Sequence, residues 1–245
     1  MWIKKVMYIS LLLFASFIAI EYGKQLEHTN ELNKQLKIAL DQEQHEEIMF
    51  KINAGADVNT INAHGLTALM IAAKNGEINL LQWLINRKLK HHNVPNLDKE
   101  TPWDQPHVGE PALSFALKAK NLEAVKLLVE AGAIVNKYNP SGTVEKLDTI
   151  PESLRQRNVP LLTYAIGAKL PMPFILLLLS GKNIDVNQKT FLQTATPLMI
   201  AAAIGYEDAV KALLDAGADK EIINTLDNIK AIDYARDAGY ENIVK

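Results

Sequence analysis

The stretches TALMIAAKNG, residues 67–76, and TPLMIAAAIG, residues 196–205, are two copies of one pattern. Each is followed by a second amphipathic stretch, at 78–85 and at 207–214, with apolar residues at helical spacing. In three copies this second stretch runs into Ala-Gly-Ala, which is typical of a helix that ends in a left-handed conformation. The glycines concerned are Gly55, Gly132 and Gly217. The pattern predicts a repeated unit of two short helices.

The copies share one register along most of the chain. Aligned on the first small residue of each copy, they start near positions 34, 67, 111, 160, 196 and 230, which are 33, 44, 49, 36 and 34 residues apart. The basic period is therefore about 33 residues, with two insertions. No single unit can bury its own apolar face, so its leucines should be buried against the neighbouring unit. These positions hold Leu36, Leu69, Leu113, Leu162, Leu198 and Ile232, followed by the pairs Leu80 and Leu81, Leu127 and Leu128, and Leu213 and Leu214.

The period and the in-register copies resemble the ankyrin-repeat family over about residues 34–245. The resemblance implies an all-α fold, an ankyrin-repeat solenoid of about six repeats behind an N-terminal apolar helix, with long hairpin-side insertions in two repeats. The family's usual T-P-L-H start is complete nowhere, and its threonine survives only at Thr67 and Thr196. We therefore expect a less regular and less stable stack than a consensus one.

The N-terminal residues predict a membrane-targeting segment. Lys4 and Lys5 precede an uncharged apolar stretch at 6–20, as in a secretory signal or a signal anchor. Because Phe17 falls where a signal peptidase needs a small residue, we favour an uncleaved single-pass anchor at 1–22. A polar spacer, 23–33, then leads to the repeat domain, 34–245, on the periplasmic or extracytoplasmic side. The alternative is a soluble periplasmic protein after cleavage of a signal peptide.

Composition and motifs exclude several classes of function. The net charge of −2 and the isoelectric point near 6.3 argue against nucleic acid as a partner, because phosphate binding needs clustered basic residues. The absence of cysteine excludes disulfides and thiolate metal sites. The histidines, serines and glycines show no metal-binding, nucleophile or phosphate-binding spacing. We therefore expect neither an enzyme nor a bound cofactor or metal.

Two sets of residues are candidates for contact with a protein partner. The insertions, at 91–110 and 136–159, supply residue types that are enriched at binding hot spots, and a short helix is expected at 151–157. The candidates there are Trp103, Asp104, His107, Tyr138, Arg155 and Arg157. The resemblance implies a second set at hairpin tips and on the inner surface of the first helices. From these places we select His64, Leu66, Lys74, Asn75, Lys118 and Gln193, and the same surface includes Glu110.

The sequence thus predicts a non-catalytic protein-binding module. By resemblance, an exported bacterial protein of this kind binds one dedicated partner and neutralises it as a toxin's immunity protein, or protects it. The alternatives are an assistant of a periplasmic enzyme and a structural scaffold of the envelope. The enlarged insertions favour one dedicated partner over a general scaffold.

Overall fold

The computed structural model describes residues 2–87, 93–102, 109–143, 157–190 and 194–244, with side chains except at 2–13, 139–143, 157 and 158. Within these ranges the chain forms twelve helices and two strands. The helices are α1 (Trp2–Asp41), α2 (His45–Asn53), α3 (Ala68–Asn75), α4 (Ile78–Arg87), α5 (Ala112–Lys118), α6 (Leu122–Glu130), α7 (Leu161–Gly167), α8 (Met172–Leu179), α9 (Pro197–Ala203), α10 (Glu207–Asp215), α11 (Ala231–Asp237) and α12 (Glu241–Val244). The strands are β1 (Tyr138–Thr143) and β2 (Arg157–Pro160).

The helices form antiparallel pairs, and consecutive pairs stack on one another. Each pair is short because the residues around it stop both helices. The hydroxyl of Thr67 accepts a hydrogen bond from Met70 N at 3.3 Å and caps the start of α3. Gly76 has φ +73° and ends α3, in a conformation that a residue with a Cβ adopts only under strain. The chain therefore turns at once into α4.

The leucines in register form the core. Leu36, Leu69, Leu113, Leu162 and Leu198 are all buried, which confirms the register of the first helices. Two residues differ from the prediction. Ile232 lies 40% exposed beside a cavity of about 270 Å³, which Ile243 and Val244 of α12 also line. Leu214 is 42% exposed, because it lies about 100° around α10 from the buried Leu213, on a side that the neighbouring elements leave open.

The first helix is longer than the repeat helices. α1 continues without a break from Trp2 to Asp41, so the polar spacer at 23–33 is helical and joins directly to the first buried leucines, Leu32 and Leu36. In the part of the chain that is described, no helix combines the length and the apolar character needed to cross a membrane. Much of the apolar stretch at 6–20 falls on residues whose side chains are not described.

Five hairpins connect the helix pairs in the described ranges, and each is closed at its base by backbone hydrogen bonds. The closing bonds run from Asn62 N to Leu66 O in hairpin 1, from Thr101 N to Glu110 O in hairpin 2, from Thr190 N to Ala195 O in hairpin 4 and from Asn224 N to Ile229 O in hairpin 5. Strands β1 and β2 form hairpin 3, with Asn139 opposite Val159. Hairpins 2 and 3 are the long ones, and they coincide with the two insertions in the sequence.

The third hairpin adds a two-stranded ribbon to the all-α stack. β1 and β2 pair as an antiparallel ribbon in which Thr143 lies opposite Arg157. Arg157 therefore begins a strand instead of ending the short helix expected at 151–157. The rest of that expected helix, 151–156, lies outside the described residues. Apart from this ribbon the described repeats are helical.

Side-chain amides tie each loop to the next. Asn33, Asn59, Asn136 and Asn187 each accept a hydrogen bond through Oδ1 from a backbone N–H of the following repeat, at 2.7, 2.7, 2.9 and 2.9 Å, and Asp98 does so through a carboxylate oxygen at 2.7 Å. These five hydrogen bonds form a ladder that joins α1 to the first loop and each of these loops to the next. It therefore adds a directional link to the non-directional packing of the leucines.

Replacing Asn136 by alanine is expected to lower the free energy of unfolding by about 1–3 kcal/mol. The substitution removes the acceptor for Asp185 N, at 2.9 Å, and the donor to Asn183 O, at 2.7 Å. Urea denaturation followed by circular dichroism measures the change. As a control, Asn79→Ala on the exposed side of α4 should change stability by less than about 0.5 kcal/mol. Equal effects of the two substitutions would contradict a role for the ladder.

Candidate protein-binding surface

The bases of the long hairpins are tied to their neighbours. The ammonium of Lys137 pairs with Glu100 Oε1 at 2.6 Å and so joins hairpins 2 and 3. The hydroxyl of Tyr138 donates a hydrogen bond to Lys189 O at 3.1 Å and joins hairpins 3 and 4. Hairpins 2, 3 and 4 therefore stand side by side, with their bases fixed by polar contacts.

The residues expected on the first repeats divide into exposed and buried ones. His64, at the tip of hairpin 1, and Lys74, near the end of α3, are exposed and accessible to a partner. Asn75 is also exposed, but its amide already donates to Glu43 Oε2 at 2.7 Å. Leu66 corrects the prediction, because it is buried in the core and cannot reach a partner. Its register position faces the stack and not the hairpin tip.

The other expected contact residues are only partly described. Tyr138 uses its hydroxyl within the protein, as a link between hairpins 3 and 4. Arg157 lies in β2, and its side chain is not described. The remaining candidates lie outside the described residues, namely Trp103, Asp104, His107, Arg155 and Gln193.

A buried polar cluster lies where hairpin 2 meets α5. Glu110 is fully buried, and Oε2 accepts hydrogen bonds from Ser114 Oγ at 3.1 Å and from Lys118 Nζ at 2.6 Å. Lys118 is partly exposed, so the pair connects the interior to the surface. Burial raises the pKa of the Tyr164 hydroxyl on α7, and the negative charge of Glu110 raises this pKa further. The phenol therefore stays protonated near neutral pH and can act as a hydrogen-bond donor.

Glu110 was assigned to the surface from sequence, and its burial is a correction. An alignment of the repeats contains a signal for this burial. The equivalent residue, just before the first helix of each pair, is Leu66, Val159, Ala195 and Ile229 in the other described hairpins. A carboxylate at a position that is otherwise apolar indicates a special local arrangement.

The described residues show no arrangement for metal chemistry. No group of three or more histidine, aspartate or glutamate side chains is placed to hold a metal ion in these ranges. The polar features that stand out are the hairpins and the cluster around Glu110.

Stacked helix pairs joined by projecting hairpins define the class of tandem helical repeat proteins. The family model for ankyrin repeats, in three copies, matches residues 36–139 and 162–245, more than half of the chain. The protein belongs to the ankyrin-repeat family. Ankyrin repeats are in general non-catalytic modules that bind other proteins.

Curated relatives share the repeats. The chain is 32% identical over 189 residues to the nuclear factor NF-kappa-B p105 subunit of Gallus gallus, which covers 77% of this chain and 17% of that protein. It is 26% identical over 217 residues to the ankyrin repeat protein nuc-2 of Neurospora crassa, covering 80% of this chain and 19% of the relative. The chain thus spans less than a fifth of the length of these relatives.

Solved structures share the fold. A chain in the complex of a predatory endopeptidase from Bdellovibrio bacteriovorus with an immunity protein has a TM-score of 0.60 and 22% identity, covering 86% of this chain and 95% of that one. The ankyrin repeat protein EF0377 has a TM-score of 0.62 and 22% identity, covering 86% of this chain and 94% of that one. At this identity the likeness concerns the fold.

Proposed function

We propose that this protein is a non-catalytic module that binds one dedicated protein partner through the long hairpins 2 and 3 and the adjacent inner surface of the first helices. The observation that carries the proposal is the enlargement of two consecutive hairpins whose bases are joined by Lys137 and Glu100. A surface with a fixed base loses little conformational entropy on binding. Lys118 lies on α5, which follows hairpin 2, and Lys74 lies on α3, which packs against α5, so both extend the proposed surface.

The partner in this proposal is an enzyme or toxin that the module neutralises or protects. The fold is shared with a chain of a complex between an endopeptidase and an immunity protein, which supports this class of partner. Steric cover is the mechanism: hairpins laid across a partner's active site exclude its substrate. The proposal requires no reactive group in the module itself.

The location in this proposal is extracytoplasmic, with α1 as the membrane anchor. Phe14, Phe17, Ile18 and Ile20 are all exposed in the isolated chain. Ile20 and Tyr22 point to nearly opposite sides of the helix, since each residue turns the direction by about 100°. One groove of a protein partner could not cover both sides, whereas a bilayer surrounds a helix completely. These exposed side chains support an anchor, and a reporter fused after Asn33 would test the orientation.

The test begins with a pull-down from envelope fractions that uses the full chain as bait. One stoichiometric partner whose activity is inhibited or protected supports the proposal. Several envelope proteins without any effect on activity would favour a structural scaffold. Turnover of a substrate by the isolated chain would refute the non-catalytic assignment.

Shortening hairpin 3 then tests the surface. Replacing residues 140–158 by an Asn-Gly turn retains the Asn139 and Val159 pair and suits a tight hairpin. We expect the affinity for the partner to fall by about 100-fold, because the contacts of the hairpin are lost as a unit. Calorimetry measures the affinity, and circular dichroism confirms that the stack remains folded. Lys126→Ala and Lys211→Ala, on exposed positions of the second helices, are the controls and should leave the affinity unchanged.

A further inference from the structure

Glu110 breaks the apolar pattern at the bases of the hairpins. The equivalent residues Leu66, Val159 and Ala195 are buried and pack in the core. Glu110 is equally buried and carries a carboxylate. A buried carboxylate loses its hydration, and even a good ion pair recovers this cost only in part. A leucine at position 110 would avoid this cost, but it would leave the buried Ser114 hydroxyl without its acceptor, so the matched apolar replacement is E110L combined with S114A.

The carboxylate is directed along α5. It accepts hydrogen bonds from Ser114 and from Lys118, which lie in α5 about one and two helical turns after Glu110. The backbone of Glu110 meanwhile closes hairpin 2, since its carbonyl accepts from Thr101 N and its N–H donates to Thr101 Oγ1 at 3.0 Å. One residue thus joins the base of the long hairpin to a lysine on the inner surface.

The comparison with α3 shows what the carboxylate does. Lys74 occupies in α3 the register position that Lys118 occupies in α5. The position of Glu110 is taken by Leu66 in that repeat, and Lys74 is exposed. Lys118 is less exposed, with its ammonium 2.6 Å from Glu110 Oε2. A lysine side chain loses rotamer entropy when it is held in one orientation, and the pairing with the buried carboxylate imposes part of this loss before any partner arrives.

We propose that Glu110 is a positioning residue of the binding surface, which holds Lys118 near the base of hairpin 2 so that the partner meets a preformed polar contact. The proposal rests on the proposed function and names a residue that determines affinity there. Glu110 itself need not touch the partner. Burying the Glu110 carboxylate costs folding free energy, and in return the side chain of Lys118 is ordered before a partner binds.

A first experiment needs no partner. Lysines are dimethylated reductively with ¹³C-formaldehyde under limiting reagent, and the signals of Lys74 and Lys118 are assigned by K74R and K118R. In the native chain Lys118 should react more slowly than Lys74, because its ammonium is held by Glu110. In E110L the rate at Lys118 should rise to that at Lys74. In E110L/S114A, which also removes the buried hydroxyl that would lose its acceptor, the melting temperature should stay the same or increase. An unchanged rate at Lys118 in E110L, or a large fall in the melting temperature of E110L/S114A, would overturn the proposal.

A second experiment uses the partner from the pull-down in a double-mutant cycle. E110L and K118M should each weaken binding about tenfold, and the double variant should be no weaker than either alone. E110L and K74M should instead combine additively. E110Q, which keeps an acceptor for Lys118, should restore part of the affinity. The matched control is E207L, which breaks the exposed ion pair of Glu207 with Lys211 and should have no effect on binding.

The outcomes separate this proposal from the proposed function. If the native chain binds a partner and E110L binds it equally well, the positioning role is wrong and the module remains. If the native chain binds no partner, the proposed function is wrong, and a purely structural role of Glu110 is then shown by destabilisation of E110L/S114A. Additivity between E110L and K118M would also refute positioning, because independent residues do not share one contact.

Discussion

Replacing Leu213 by alanine is expected to lower the free energy of unfolding by about 2–5 kcal/mol. Leu213 is completely buried in α10, and its side chain fills the space between neighbouring helix pairs. Truncation removes apolar contacts on both sides of a repeat boundary and leaves a cavity that rigid helices close only in part. Urea denaturation, followed at the same time by circular dichroism and by tryptophan fluorescence, measures the loss.

The next residue is the control. Leu214 is 42% exposed, so Leu214→Ala should cost less than about 1 kcal/mol although the chemical change is identical. The difference between the two variants isolates burial from helix propensity, since both residues lie in the same turn of α10. Comparable losses would mean that this boundary is not held together by leucine packing.

The leucine register could be predicted because repetition multiplies a weak signal. A single pattern such as that at 67–76 could belong to many helices, but the same pattern at several equivalent positions fixes which face is buried. Leu69, Leu113 and Leu198 follow from that argument alone, and all three are buried. The pairing of helices follows equally, because no unit of this size buries its own face.

The ends of the stack could not be predicted in the same way. The register treats Ile232 as equivalent to the leucines, but burial depends on whether another helix covers the residue. Ile232 is 40% exposed, whereas Leu198, its equivalent in the preceding pair, is buried. Likewise, helix geometry places the second residue of a Leu-Leu pair about 100° around the helix from the first. Whether this second residue is buried depends on the neighbouring helices and loops, which the periodicity does not specify. Leu127 is half-buried, whereas Leu214 is exposed.

The insertions show a different limit. Their positions follow from the lengths between copies, since extra residues have to leave the stack as loops. Their structure does not follow, because an insertion has no second copy with which its pattern can be compared. The short helix expected at 151–157 is contradicted at Arg157, where β2 begins. β1 contains a Pro and a Gly, residues that are poor in strands, and pairing with β2 overrides their propensity.

The sequence contains a signal for the cluster around Glu110, but the signal is a difference between the repeats and not a shared residue. Repeats are aligned by what their copies share, and Glu110 is distinguished by what it does not share. The direction of its side chain, towards Ser114 and Lys118, depends on the path of hairpin 2. A sequence can therefore reveal that position 110 is exceptional, while the structure is needed to see which groups it holds.

Replacing Gly205 by alanine is expected to lower the free energy of unfolding by about 2–4 kcal/mol, as the sum of a backbone and a packing cost. Gly205 has φ +66°, and a Cβ built there would overlap the ring of Tyr240 in the last repeat. Gly217→Ala is the control, because Gly217 has φ +89° but open space around it, and should cost only about 1 kcal/mol. Thermal unfolding followed by circular dichroism measures both.

The location of Gly205 makes this variant a test of function as well as of stability. Each repeat contacts only its neighbours, so displacement of Tyr240 should loosen α11 and α12 first and leave the earlier repeats folded. Hydrogen exchange should then increase around Tyr234 and remain slow around Leu113. Since the proposed surface lies on hairpins 2 and 3, the affinity for a partner should change less than twofold. A large loss of affinity in Gly205→Ala would place the contact surface at the end of the stack, because the variant acts there and leaves the long hairpins in place.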